Sequence, residues 1–383
     1  METGSRERVY ALACVAMFVF GIILGLPGTV LGLPEVAAQF GLTLADRGAL
    51  ISTLFIGLLL GSVASGPLVE RLGLRVALSG SAALVAGGLP LFALASNVML
   101  AAAALAAIGI ASAGMNTASN ALSSELFPEE RGRRMNGIAI VVGLGGLAMP
   151  TATALAAGLF SWRAVVIGGG LVAGAVAIAG FAGARTAAAA RTPAVSHAGP
   201  RAAFAGLIRQ PRFAFFGALL ILSAATEASM AGWTSTYLTT AGVAPEAATW
   251  GLSSHWLGLI AGRLLFSGRL DGVKREAIVR AAIGGAAVIA VFVGLPVPLV
   301  LACGPFAAGL AIAVIVPTAL AFAGDRFPGN AGTLFGALLT LAQVGGIVVP
   351  SLIGAIAEEA GVRAGLSLLV VNCLAVALLA RRA

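Results

Sequence analysis

Charge is what this sequence has least of. Only 10% of its 383 residues are Asp, Glu, Lys or Arg, against about a quarter in soluble globular domains. Meanwhile 59% are hydrophobic and the mean hydropathy is +1.03, so composition alone places the chain in a membrane. Histidine is nearly absent, with 2 residues, and cysteine is scarce, with 3. No His/Cys set has the spacing of a metal site, and no glycine loop followed by lysine is present to cradle phosphates. No soluble catalytic segment interrupts the apolar runs. A membrane enzyme and an ATP-driven pump are therefore disfavoured, and neither a cofactor nor a metal is expected. Cys14, Cys303 and Cys373 are odd in number and lie in apolar runs, which reads as packing. Strict period-two alternation over about ten residues is also missing, which excludes a membrane β-barrel.

What the chain has instead is a succession of apolar segments of about 20 residues, each long enough to cross a bilayer as a helix. Twelve are expected: Tyr10–Leu33, Ala49–Gly66, Val76–Ala95, Val98–Leu122, Asn136–Phe160, Ala164–Ala182, Phe213–Leu238, Trp250–Gly268, Ile278–Val297, Leu299–Ala323, Thr333–Ile356 and Leu366–Leu379. The formal net charge of +8 does not point to nucleic acid, because the basic residues follow the segment ends. With a cytoplasmic N-terminus, 20 of the 23 Lys/Arg fall inside, leaving only Arg47, Arg163 and Arg363 outside. The positive-inside rule then puts both termini in the cytoplasm. Ala-Leu-Ala-Cys near the start is similar to a lipoprotein cleavage site, but the apolar run continues past Cys14 for bilayer length, so a retained first helix is expected.

The second half repeats the first. Phe127-Pro128, Gly132, Gly145-Gly146 and Pro150 return without a gap 200 residues later as Phe327-Pro328, Gly332, Gly345-Gly346 and Pro350. A repeat at half the chain length, six segments to each half, predicts an all-α membrane protein of two pseudo-symmetric six-helix bundles. The expected division is residues 1–184 and 213–383, joined by a basic, Ala- and Pro-rich linker over 185–212. His197 lies in that linker and reads as solvated and inert. One chain holds both halves, so a monomer suffices.

The seventh segment carries Glu227 at its middle, whereas the other acidic residues fall at segment ends or between segments. A carboxylate at bilayer depth costs roughly 3 kcal/mol even on mild insertion scales, so it marks a function and faces the protein interior or water. Asn116 and Asn120, four apart on the fourth segment, share a helix face. They either bridge helices or contact a polar ligand. Gln343 on the eleventh segment is open to the same two readings. Trp233 reads as an interfacial anchor or as a stacking surface for a flat ligand, and His255 as ligand contact or packing. Counted from the connecting loop, Glu227 and His255 differ in depth by roughly 6–9 Å at 1.5 Å per residue, which disfavours direct contact and leaves a water-linked pair open. In the tenth segment, Gly304-Pro305, Gly309 and Pro317-Thr318 predict a bent or broken helix.

GPLVERLGLR, residues 66 to 75, resembles the loop between the second and third helices of the major facilitator superfamily, G-x-L-x-D-R-x-G-R-[KR]. Gly66, Leu68, Arg71 and Gly73 match; Glu70 replaces the usual Asp, and Arg75 is one basic residue where two are usual. Gly268-x-Leu270-Asp271 echoes this loop in the second half. Such glycine-turned acid–base clusters are expected to act as cytoplasmic gates, with Gly66, Glu70, Arg71, Gly73, Arg75, Arg263 and Asp271 as the candidates. ASNALSSELFPEERG with Asn136, TEASMAGWTSTYL, SSHWLGLIAGRLL and FPGNAGTLFGALLTLAQVGGIVVPSLIG further resemble the fucose/glucose permease-like branch. That resemblance implies a secondary transporter with alternating access that takes a small, sugar-like solute with a proton in a bacterial-type cytoplasmic (inner) membrane. Fucose-type members use acids on the first and fourth helices. Here the fourth-helix position falls at Asn116 and the first helix has no carboxylate in its core, so those roles do not carry over. Glu227 followed by Trp233 matches the glucose-type pattern. The resulting expectation is Glu227 as proton carrier, with Asn116, Asn120, Trp233, His255 and Gln343 lining the solute site. A proton-coupled exporter of amphipathic compounds is the alternative, and a non-transporting sensor a remoter one.

Overall fold

The structure is a computed structural model that describes residues 3–186, 209–266, 273–327 and 331–382. Among them every regular element is helical. The helices are α1 (Thr3–Val30), the short α2 (Pro34–Phe40), α3 (Leu44–Leu72), α4 (Leu74–Ala93), α5 (Val98–Leu126), α6 (Arg131–Ala156), α7 (Trp162–Thr186), α8 (Pro211–Thr240), α9 (Pro245–Phe266), α10 (Lys274–Gly294), α11 (Pro298–Ile312), α12 (Ile315–Arg326), α13 (Ala331–Ala360) and α14 (Val362–Ala380). With no water to satisfy backbone groups in lipid, continuous helices are the form such apolar runs must take.

Eleven of these, counting α11 and α12 as one span, are long and apolar enough to cross a membrane. The twelfth expected segment is α9, a 22-residue helix made more polar by Thr249, Ser253, Ser254, His255 and Arg263. It is packed between α6, α8 and α11. The expected break in the tenth segment falls between α11 and α12, at Ala313 and Val314. Pro317 supplies the reason, because it has no N–H to offer the Ala313 carbonyl four residues back. The linker over 185–212 and His197 lie almost entirely outside the described residues.

Helices of the first half pack on one another as α3 on α5, α4 on α7 and α1 on α6, and those of the second half as α9 on α11, α10 on α14 and α8 on α13. The two groups meet through α3 with α13, α6 with α9, and α1 with α8. The repeated glycine pairs build both kinds of junction. Gly145 packs against Phe18 and Gly21 of α1, and Gly345 against Ile221 and Ala225 of α8, so each first glycine closes its own bundle. Gly146 lies under the Trp256 ring and Gly346 under the Phe55 ring, so each second glycine receives an aromatic from the other bundle. Small residues of this kind are what allow membrane helices to approach closely. Gly73 turns α3 directly into α4 at φ +81° and ψ +155°, a conformation essentially reserved for glycine.

Candidate functional site

Contacts between the bundles place the site. At the face remote from the termini, the Glu358 carboxylate at the end of α13 accepts the backbone N–H groups of Leu44 (2.8 Å) and Ala45 (3.3 Å), which open α3. Two turns deeper, the Ser351 hydroxyl donates to Ser52 Oγ at 2.7 Å, and Ser52 donates to the Ile347 carbonyl at 2.5 Å. Thr151 of α6 donates to Ser253 of α9 at 3.1 Å. Gly28 of α1 and Gly32 just past its end pack on Ala231 and Ser235 of α8. Arg47 is half-buried in this face, its guanidinium 3.5 Å from the Thr236 hydroxyl. The contacts end near mid-length with Phe55 on Gly346, Trp256 on Gly146 and Ile260 against Gly143.

Two clusters of charge at the opposite face each lie within one bundle. Arg134 binds Glu7 (2.6 Å) and Glu130 (3.1 Å) and lies over the rings of Tyr10 and Phe127. Lys274 binds Asp325 at 2.7 Å. The side-chain hydrogen bonds that join the bundles at Leu44, Ala45, Arg47, Ser52, Thr151 and Ser351 lie in the remote half.

Three polar side chains sit just past the last of these contacts, toward the termini. Residues three or four apart share a helix face. Glu227 therefore continues the face of Ala231 and Ser235, Arg263 that of Trp256 and Ile260, and Gln343 that of Gly346 and Ile347. Each faces the other bundle one turn beyond a point of contact. The Arg263 guanidinium donates to Glu227 Oε1 at 2.7 Å, and the side chains remain 15% and 22% exposed respectively. Helix geometry favours this meeting. Side chains tilt toward their own helix N-terminus, and α8 and α9 run antiparallel, so Glu227 leans toward the termini face while Arg263 leans away from it. Arg263 Nε also lies 3.5 Å from the Ala313 carbonyl, the one that Pro317 leaves without its helical partner. The break in the tenth span thus presents a backbone acceptor beside the ion pair. Discontinuous helices at such a centre are a recurrent way to build ion and solute sites in transporters.

Arg263, expected at the gate, is instead drawn into this centre. The reason is reach: its long stem carries the guanidinium back from the end of α9 to a carboxylate that would otherwise be unpaired at membrane depth. Asn116 and Asn120 form a second polar pair on α5. Asn120 Nδ2 donates to Asn116 Oδ1 at 2.8 Å and to the Asn116 carbonyl at 2.9 Å, and both side chains are half-buried. Gln343 is half-buried as well.

Trp233 and His255 are not brought to this centre. Trp233 is fully buried, its indole N–H without a partner among the described residues. His255 is also fully buried and lies across the α9–α11 junction, its Nδ1 3.3 Å from the Pro305 carbonyl. Of the gate candidates, Gly66 lies within α3, Arg71 is exposed, and the half-buried Arg75 begins α4, its carbonyl accepting from Ser79. The Glu70 side chain and Asp271 lie outside the described residues. A contact not foreseen in the sequence supports Glu227 from behind. Asn372 of α14 donates to Thr226 Oγ1 (2.7 Å) and to the Leu222 carbonyl (2.6 Å), fixing α8 next to Glu227. Nothing in the α14 sequence sets Asn372 apart from other buried amides.

Two six-helix groups joined through paired glycines, with a polar centre between them, define a polytopic membrane protein of the solute-carrier type. The Major Facilitator Superfamily profile matches residues 13–350, and the chain belongs to that family. Membership of that family makes it a membrane transporter of a small solute. No curated protein matches the chain. Among solved structures it is similar to the crystal structure of the nucleoside transporter NupG (D323A mutant), with a TM-score of 0.79, 15% identity, and coverage of 98% of this chain and 99% of that one. This likeness concerns the fold.

Proposed function

We propose that the protein is a proton-coupled secondary transporter of a small, neutral, hydroxyl-rich solute, sugar-like in its polar groups, and that Glu227 and Arg263 form the centre where solute and proton meet. The observation that carries this reading is the convergence of Glu227, Arg263 and Gln343 on the space between the bundles, one turn beyond their last contact. A hydroxyl-bearing solute can replace the contacts of the Glu227–Arg263 pair, accepting from the guanidinium and donating to the carboxylate. A proton arriving on Glu227 would loosen the same pair, which links solute binding to protonation. Residues 1–184 and 213–383 are the two moving bodies, and Asn116, Asn120 and Gln343 complete the lining.

The remote half is closed, and near the termini the Arg134 and Lys274 clusters each lie within one bundle, which fits a conformation open toward the termini. The bias of basic residues toward that side supports a cytoplasmic assignment for it in an inner membrane, with the Gly66–Arg75 segment, turned at Gly73, as part of its gate. A nucleoside, which carries a sugar and a flat base, falls within this solute class and is the substrate named for the structural neighbour. Export of amphipathic cations fits less well, because Arg263 already neutralises the carboxylate that would attract them.

Counterflow in proteoliposomes tests the substrate class. Vesicles preloaded with one unlabelled solute, drawn from sugars, sugar alcohols, nucleosides and amphipathic amines, are offered the same solute in labelled form. Counterflow of a sugar or nucleoside is expected. Counterflow of amines alone would overturn the reading in favour of export.

A further inference from the structure

A cavity lies away from the Glu227–Arg263 pair, at the face that carries the termini. It is about 300 Å3 and is formed where the start of α8, the end of α12 and the end of α14 come together. Its walls are Arg212, Arg326 and Arg382, and its floor is Phe215, Phe216 and Phe322. The rings are locked edge to face, Phe216 on Phe322 at 5.3 Å and on Phe215 at 5.1 Å. Arg326 lies over the Phe322 ring at 5.1 Å. That contact orients the guanidinium without neutralising it. All three arginines are exposed, and none has a carboxylate partner among the described residues. Three unneutralised guanidiniums around one cavity repel one another, so the arrangement is stabilised by an anion.

We propose that this cavity binds the phosphate-bearing headgroup of an anionic phospholipid. Guanidiniums match phosphate oxygens in pairs of parallel hydrogen bonds. The position favours a lipid over a free anion, because the cavity sits where apolar spans meet polar chain, at headgroup depth, and its aromatic floor suits the glycerol and upper acyl groups. Basic pockets between membrane helices at a leaflet surface are a recognised form of lipid headgroup site. Bound there, the lipid would tie α8, the helix that carries Glu227, to α12 and α14.

The test is native mass spectrometry and thermal unfolding of the full chain in detergent, with added phosphatidylglycerol, phosphatidylcholine of the same acyl chains, or inorganic phosphate. Wild type should retain phosphatidylglycerol and melt higher with it, without response to phosphatidylcholine or millimolar phosphate. At about fivefold per arginine, the triple variant Arg212→Gln/Arg326→Gln/Arg382→Gln should bind the lipid on the order of 100-fold more weakly. Replacing all three by Lys should keep much of the binding, which separates loss of charge from loss of fold. Equal protection of wild type and the Gln variant overturns the proposal, as does protection of wild type by phosphate alone.

Discussion

At the scale of single residues, the central site is an ion pair whose two members were not equally visible beforehand. Glu227 stands out in sequence because a carboxylate at bilayer depth is costly. Arg263 does not, since an arginine near the end of a span is the ordinary product of the positive-inside bias. Only the antiparallel placement of α8 and α9 reveals that the two point at each other. Removing one partner of such a pair leaves a charge uncompensated. Arg263→Gln should therefore lower stability by about 2 kcal/mol, below the roughly 3–5 kcal/mol of a fully buried pair because both groups keep some exposure. Glu227→Gln/Arg263→Gln should lose less than the sum of the single variants, a coupling that a double-mutant cycle in detergent unfolding reads directly. Additive losses would mean that the pair contributes little. Trp233 and His255 show the opposite limit. Both residue types serve packing as readily as binding, and the three-dimensional arrangement encloses both.

Among the elements, the helices follow from apolar length and the broken tenth span from Pro317. The gapless repeat marked Gly145-Gly146 and Gly345-Gly346 as related, but not that the two glycines of each pair face different bundles. That division depends on the 100° turn between adjacent helical residues combined with a partner helix that the sequence does not specify. A Cβ at Gly146 would lie 2.5 Å from the Trp256 ring, so the ring must move. Gly146→Ala should weaken the α6–α9 junction by about 1–3 kcal/mol, the usual cost of overpacking. Labelling of a cysteine placed at Ser253, which lies at the same junction, should speed up accordingly, and Trp256→Leu in the same chain should restore the slower rate. An unchanged rate in Gly146→Ala would show that this contact does not hold the bundles together.

On the scale of the whole molecule, the two bundles are joined in the remote half, and the Arg134 and Lys274 clusters near the termini each stay within one bundle. Alternating access requires the remote contacts to break in each cycle. Ser52 and Ser351, whose hydroxyls are 2.7 Å apart across the bundles, offer a reversible lock. In a background with Cys14, Cys303 and Cys373 replaced, Ser52→Cys/Ser351→Cys should cross-link on mild oxidation. Solute counterflow should then fall at least tenfold and return on reduction. Full transport by the cross-linked protein would contradict a cycle in which this face opens.

Solute-triggered proton movement in proteoliposomes, followed with a pH-sensitive dye in wild type and in Glu227→Gln, tests the coupling role of the central pair most directly. The account predicts that a hydroxyl-rich solute drives proton entry in wild type. It predicts no proton movement in Glu227→Gln, although that variant still exchanges labelled for unlabelled solute. Equal proton movement in both proteins would contradict it, and would take the coupling away from Glu227.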